Sequence, residues 1–249
     1  MKAETFAKLV VLDTLLDAEV GFYLEHPSAS DLFREGLVSG ISDLVDQIDT
    51  LDAVAAAHSY DAIVDFLSEL PEGGGDGVVT AAIRFKRASE RLVRRGMRRR
   101  EMEQASTWAV VVDELLEALA AEYPRAVPST DEIRAREYLR AQLLLTRARN
   151  AAESMLGRLD GEGQPEFRSD LDRLTYAVRH QRPSPRAVEL LIRPPQEYAR
   201  SQRPTSISRV GGFVLRQLLR RSPTAGDSER SRGDRGAATG WRRRVEDPG

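Results

Sequence analysis

A chain of 249 residues, 41% apolar and 31% charged, is long enough for one large helical domain or two small ones with a real core. It contains no cysteine, which excludes a disulfide framework, thiolate metal sites and cysteine nucleophiles. The net charge is only −2, yet residues 1–76 carry 3 basic and 16 acidic side chains while residues 77–249 carry 34 and 23, so the halves attract each other or one of them meets an external partner.

Read in chain order, nearly every stretch has a helical period, and the expected fold is an all-α multi-helix bundle of one or two subdomains. Phe6, Leu9, Val10, Leu16, Val20 and Leu24 outline a first helix ending near Glu25 and His26, because Pro27 disfavours helical geometry in the residue before it. A second helix is expected from about Ser30 to Leu51. A third is expected with Ser59 as its N-cap, stopping at Pro71. The run of residues 73–77 reads as a flexible joint closing an acidic unit over residues 1–72. A long helix then spans about Val78 to Gln104, with a break before Ser106, and apolar spacing continues from Trp108 to Tyr123 and Pro124.

Ser129, Thr130, Asp131 and Glu132 spell a capping box for the next helix. Its seam of Tyr138, Ala141, Leu145, Ala148, Ala152, Met155 and Leu159 alternates steps of three and four, the spacing of coiled-coil packing. The long-helix unit therefore covers residues 78–160. A smaller helical extension covers 165–221, with a helix from Glu166 to His180 and another from the Ser184 cap to about Ile192. There Pro194 and Pro195 are expected to interrupt it. Residues 222–249 are dominated by Gly, Ser, Arg and Asp, a composition expected to form a disordered tail.

Few residues carry chemistry. His26, His58 and His180 lack a glutamate three residues before them and a second histidine at helical spacing, so no metal site and no cofactor is expected. The apolar runs Leu9 to Leu16 and Trp108 to Ala121 fall short of the ~20 residues a bilayer needs. Charged residues also interrupt them, and the expectation is a cytoplasmic protein.

The strongest feature is a basic ridge. Arg84, Arg87, Arg91, Arg94, Arg95 and Arg98 recur at helical spacing, extended by Arg99 and Arg100, over about 21 Å, enough to follow several phosphates. The same pattern fits a solvated face, or a face docked on the acidic N-terminal half. Asp43, Asp46, Asp49 and Asp52 recur every third residue and drift around their helix by about 60° per step, so they do not converge on a metal.

Arg173 precedes His180 with six residues between them. This resembles the Arg-x(4–6)-His signature of HEPN-type helical ribonucleases, and the resemblance implies that the pair serves RNA cleavage. The other reading is a helix-surface histidine beside Arg179. Ile207 to Arg221 forms a basic amphipathic stretch suited to an anionic membrane, a partner's groove or the protein's own core.

The expected function is that of a non-catalytic helical binding or regulatory protein acting through the arginine ridge. The partner classes are nucleic acid, an acidic protein surface, a second copy of the chain and a membrane surface. The alternatives are a helical ribonuclease and a protein that docks through residues 207–221.

Overall fold

The computed structural model describes residues 1–27, 41–69, 74–129, 132–159 and 163–203. Among them lie nine α-helices and no strand, only an isolated bridge between Ser129 and Glu132. The fold is an all-α multi-helix bundle, and the described residues make one compact unit.

Helix α1, Ala3–Glu25, is apolar around nearly its whole circumference, as a helix enclosed by others must be. It buries Phe6, Leu9, Leu12, Leu15, Leu16 and Tyr23, and also the polar Thr5, Lys8, Thr14 and Glu19. Helix α2, Ser42–Asp49, buries Val45 and Ile48. The earlier part of the expected second helix lies outside the described residues.

Helix α3, Ala53–Glu69, starts before the expected cap. Asp52 Oδ1 accepts the Ala55 N–H at 3.2 Å, so Ser59 lies inside the helix, its hydroxyl donating to the Ala55 carbonyl at 2.8 Å. Asp and Ser are comparable caps, and the alanine-rich stretch after Asp52 lets the helix extend back to the earlier one.

The described part of the expected glycine-rich joint is helical, and residue 73 lies outside the described residues. Gly74–Gly77 form the first turn of α4, Gly74–Gly96, with Asp76 placed where the helix dipole favours an acid. A Cβ on Gly77 would lie 2.8 Å from Glu69 Oε2, so the absent side chain permits close approach of α3.

The long helix expected over 78–104 ends at Gly96. Met97 turns into the core and Arg98 is extended, its N–H taken by the Glu101 carboxylate at 2.7 Å. A short α5, Arg99–Met102, follows. It is tied to α6, Ala105–Ala126, by Trp108 Nε1 donating to the Met102 carbonyl at 2.9 Å. Helix α6 passes the expected stop at Pro124, since a proline in the last turn forfeits only a terminal hydrogen bond.

The Ser129–Glu132 capping box does not open the next helix. Arg134 donates its N–H to the Ala126 carbonyl at 2.9 Å, closing α6, and α7 begins at Ala135 and runs to Leu156. Its expected seam is buried from Tyr138 to Met155, and α6 and α7 make the most extensive contact of any pair.

Helix α8, Gln164–Tyr176, follows Gly163, whose φ of +90° suits glycine and whose Cα faces the Tyr198 ring. It runs into a π-helical turn, Ala177–Gln181, and a left-handed Arg182. The Tyr123 hydroxyl donates to the Pro183 carbonyl at 2.8 Å and that of Tyr138 to the Val178 carbonyl, pinning this junction to α6 and α7.

Ser184 caps α9, Pro185–Ser201, accepting the Ala187 N–H at 3.4 Å. Contrary to expectation, α9 continues through Pro194 and Pro195. The prolines free the carbonyls of Leu190 and Leu191. Leu190 is exposed to water, while Pro195 is buried.

Candidate nucleic-acid interface

Helix α4 is anchored on one side and bare on the other. Val78, Ala81, Phe85 and Ser89 are buried, and Lys86 reaches across to Asp17 of α1 at 2.6 Å. The other side carries Arg84, Arg87, Arg91, Arg94 and Arg95, all exposed, within an arc of about 100° at 100° per residue. Arg98, exposed as well, lies beyond the helix end. The ridge therefore bends at Met97 instead of following one straight helix.

Few carboxylates neutralise it. Arg84 meets Glu69 at 3.6 Å, Arg94 meets Glu90 at 3.7 Å and Arg99 meets Glu103 at 2.8 Å. Among the described residues, Arg87, Arg91, Arg95, Arg98 and Arg100 have no ion pair. The described arginines elsewhere are mostly engaged: Arg149 with Asp172 at 2.6 Å, Arg168 with Glu153 at 3.1 Å and Arg193 with Glu189 at 3.0 Å.

The acidic and basic halves meet within the chain, at Lys86 and Arg84 of α4 and more extensively through α7. Glu19 pairs with Arg136 at 3.0 Å and also with Arg140, while Arg147 pairs with Asp13 at 3.1 Å and Asp17 at 3.6 Å. Asp43, Asp46 and Asp49 stay exposed on α2 with no ion pair among the described residues, and Asp52 is spent as a cap. No group of three metal-ligating side chains gathers among the described residues.

Arg173 and His180 sit on successive elements. Arg173 lines an open depression of about 840 Å³ with Pro165, Arg168, Asp172 and Tyr176, and meets Asp170 at 3.8 Å. His180 is outside that lining, its ring 5.0 Å from that of Tyr176. Residues 207–221 and the tail lie outside the described residues. Among the described helices none is long and apolar enough to cross a membrane.

Two buried polar clusters escape a reading by periodicity. In the first, Glu19, Arg140 and Glu122 alternate in sign between α1, α7 and α6, with Arg136 and Arg125 at the ends. Burial opposes the charge on Arg140, but Glu19 and Glu122 outweigh it and hold the guanidinium above its ordinary value. The available signal was Glu19 deep within a helix apolar on nearly every side, a glutamate that must be paired if it is ionised.

In the second, Asp113 of α6 is 2% exposed and takes Arg200 at 3.0 Å together with Arg203. Tyr123 is pushed up to about 12, chiefly by burial and then by Tyr138.

Glu117 beside this cluster is raised above its ordinary 4.5, first by burial and then by Glu114 and Asp113. A carboxyl raised in the folded state stabilises most when protonated. Its contribution is complete below the unfolded value and is lost as pH rises through the folded one. Glu117→Gln is accordingly expected to lessen the fall in stability above pH ~4.5, which urea titrations across that range would measure. An unchanged pH profile would contradict it.

No family model, curated protein or solved structure matches the chain.

Proposed function

We propose that this is a non-catalytic cytoplasmic protein that binds nucleic acid through the arginine face of α4. The observation that carries the reading is the set Arg87, Arg91, Arg95 and Arg98, exposed and without ion pairs among the described residues, where most of the other described arginines are paired. Like charges three and four residues apart cost a helix a few tenths of a kcal/mol per pair. Arg84, Arg87, Arg91 and Arg95 repeat that arrangement three times in succession. A polyanion reverses the sign of the term, and Arg presents a planar donor fork that suits phosphate.

The anchored inner face matters as much as the charge. Phe85 is 2% exposed and Val78 fully buried, so the arginines project from a fixed rod. Binding then orders side chains only, with no helix to fold.

The test compares the native protein with the triple variant Arg87→Glu, Arg91→Glu and Arg95→Glu in binding labelled nucleic acid at low and high salt. The native protein is expected to bind and to weaken steeply with salt. The variant is expected to lose on the order of 100-fold at low salt, because counterion release scales with the phosphates neutralised. All three positions are exposed, so thermal melting should be nearly unchanged. Equal binding by both proteins would remove the ridge from the function.

A further inference from the structure

The occupant of the ridge can be narrowed, given the nucleic-acid reading above. We infer that the ridge takes the sugar-phosphate backbone of a duplex, without sequence preference, and not a single strand.

Three features of α4 point the same way. Single-strand surfaces combine positive charge with aromatic platforms on which bases stack, each worth about 1–3 kcal/mol. The one aromatic side chain of α4, Phe85, is turned into the core at 2% exposure. The exposed tyrosines Tyr60 and Tyr176 belong to α3 and α8. The ridge therefore offers charge with no stacking platform.

The second feature is the composition of the exposed arc. Arginine can read guanine edges, but reading adenine calls for Asn or Gln, and α4 has neither, so the arc holds one kind of contact repeated and no mixed code. Its exposed glutamate, Glu90, faces Arg94 of its own helix. Backbone contacts position a protein on a duplex and carry no sequence information.

The third is rigidity. Arg84, Arg87, Arg91 and Arg95 step along the axis by about 4.5–6 Å at 1.5 Å per residue, and the packed inner face keeps that row straight. A fixed row of cations gains most from a stiff polyanion of high charge density. A duplex supplies one charge per about 1.7 Å of axis, whereas a single strand must be straightened to fit.

DNA and RNA duplexes share this chemistry and differ in groove shape and the 2′-hydroxyl. The experiment titrates the full chain into labelled duplex DNA, duplex RNA and each separated strand, all of equal length and in two unrelated sequences, over a salt series. At least one duplex is expected to bind about tenfold or more tighter than its strands, with equal affinity for both sequences. Four phosphates neutralised by Arg87, Arg91, Arg95 and Arg98 set a log–log salt slope of about −4. Whichever duplex binds tighter identifies the natural backbone form.

Single strands binding as tightly as duplexes, or a preference between the two sequences, would overturn this inference. The nucleic-acid reading would survive if the ridge variant still lost that binding. Absence of binding to every probe would overturn both.

Discussion

Glu19→Ala is expected to destabilise the protein by about 3–5 kcal/mol, the usual penalty for removing one partner of a buried ion pair. Glu19 is fully buried in α1 and accepts from Arg136 and Arg140 of α7. Its loss leaves Arg140, itself 5% exposed, facing only Glu122 at 3.4 Å. A lysine so placed could shed its proton, but a guanidinium cannot, and the charge stays buried and poorly compensated.

Replacing Glu19 together with both its arginine partners behaves differently, Glu122 keeping Arg125 at 2.9 Å. Apolar residues of similar volume often match or exceed the stability of a buried ion network. Glu19→Leu combined with Arg136→Met and Arg140→Met is therefore expected to recover most of the loss. Urea denaturation of the single and triple variants measures both effects. As a control, Glu153→Ala breaks an exposed pair with Arg168 and should cost no more than about 1 kcal/mol. A loss that small for Glu19→Ala would mean that water reaches the pair.

The contrast between these pairs explains what the sequence could and could not disclose. Short-range rules acted locally and were legible: Pro27 placed the end of α1, and the seam from Tyr138 to Met155 placed the buried face of α7. Ser184 was legible as the cap of α9 for the same reason. Where local signals competed, the sequence did not rank them: the alanine-rich stretch decided one case and burial of a proline the other. Asp52 prevailed over Ser59, and α9 ran through Pro194 and Pro195 with Pro195 buried.

The arginine arc was legible because all its members but Arg98 share one helix. Whether each arginine had a carboxylate was not, because the partners come from distant positions. Glu69 reaches Arg84 from α3, whereas Glu19 reaches Arg140 across 121 residues. Charge counts by halves predicted attraction, but only the fold assigns most of it to α7 and leaves Arg87, Arg91 and Arg95 of α4 without an ion pair among the described residues.

That division of labour depends on the α6–α7 pair that sets the bundle's axis, and Leu145→Ala is expected to weaken it by about 2–5 kcal/mol. Leu145 is 1% exposed in the seam of α7. Its neighbours along the seam are Ala141 and Ala148, both fully buried, which bring the backbones close and leave few atoms able to relax into the vacated volume. Poor collapse puts the cost toward the upper part of that range, since the penalty grows with the cavity left behind. Leu190→Ala in α9 makes the same chemical change in a helix at a position 54% exposed. Alanine is the better helix former, so helix propensity favours both substitutions slightly and cancels in the comparison. The difference in denaturation free energy between the variants therefore isolates burial, and a gap smaller than about 1.5 kcal/mol would mean that the seam is loosely packed.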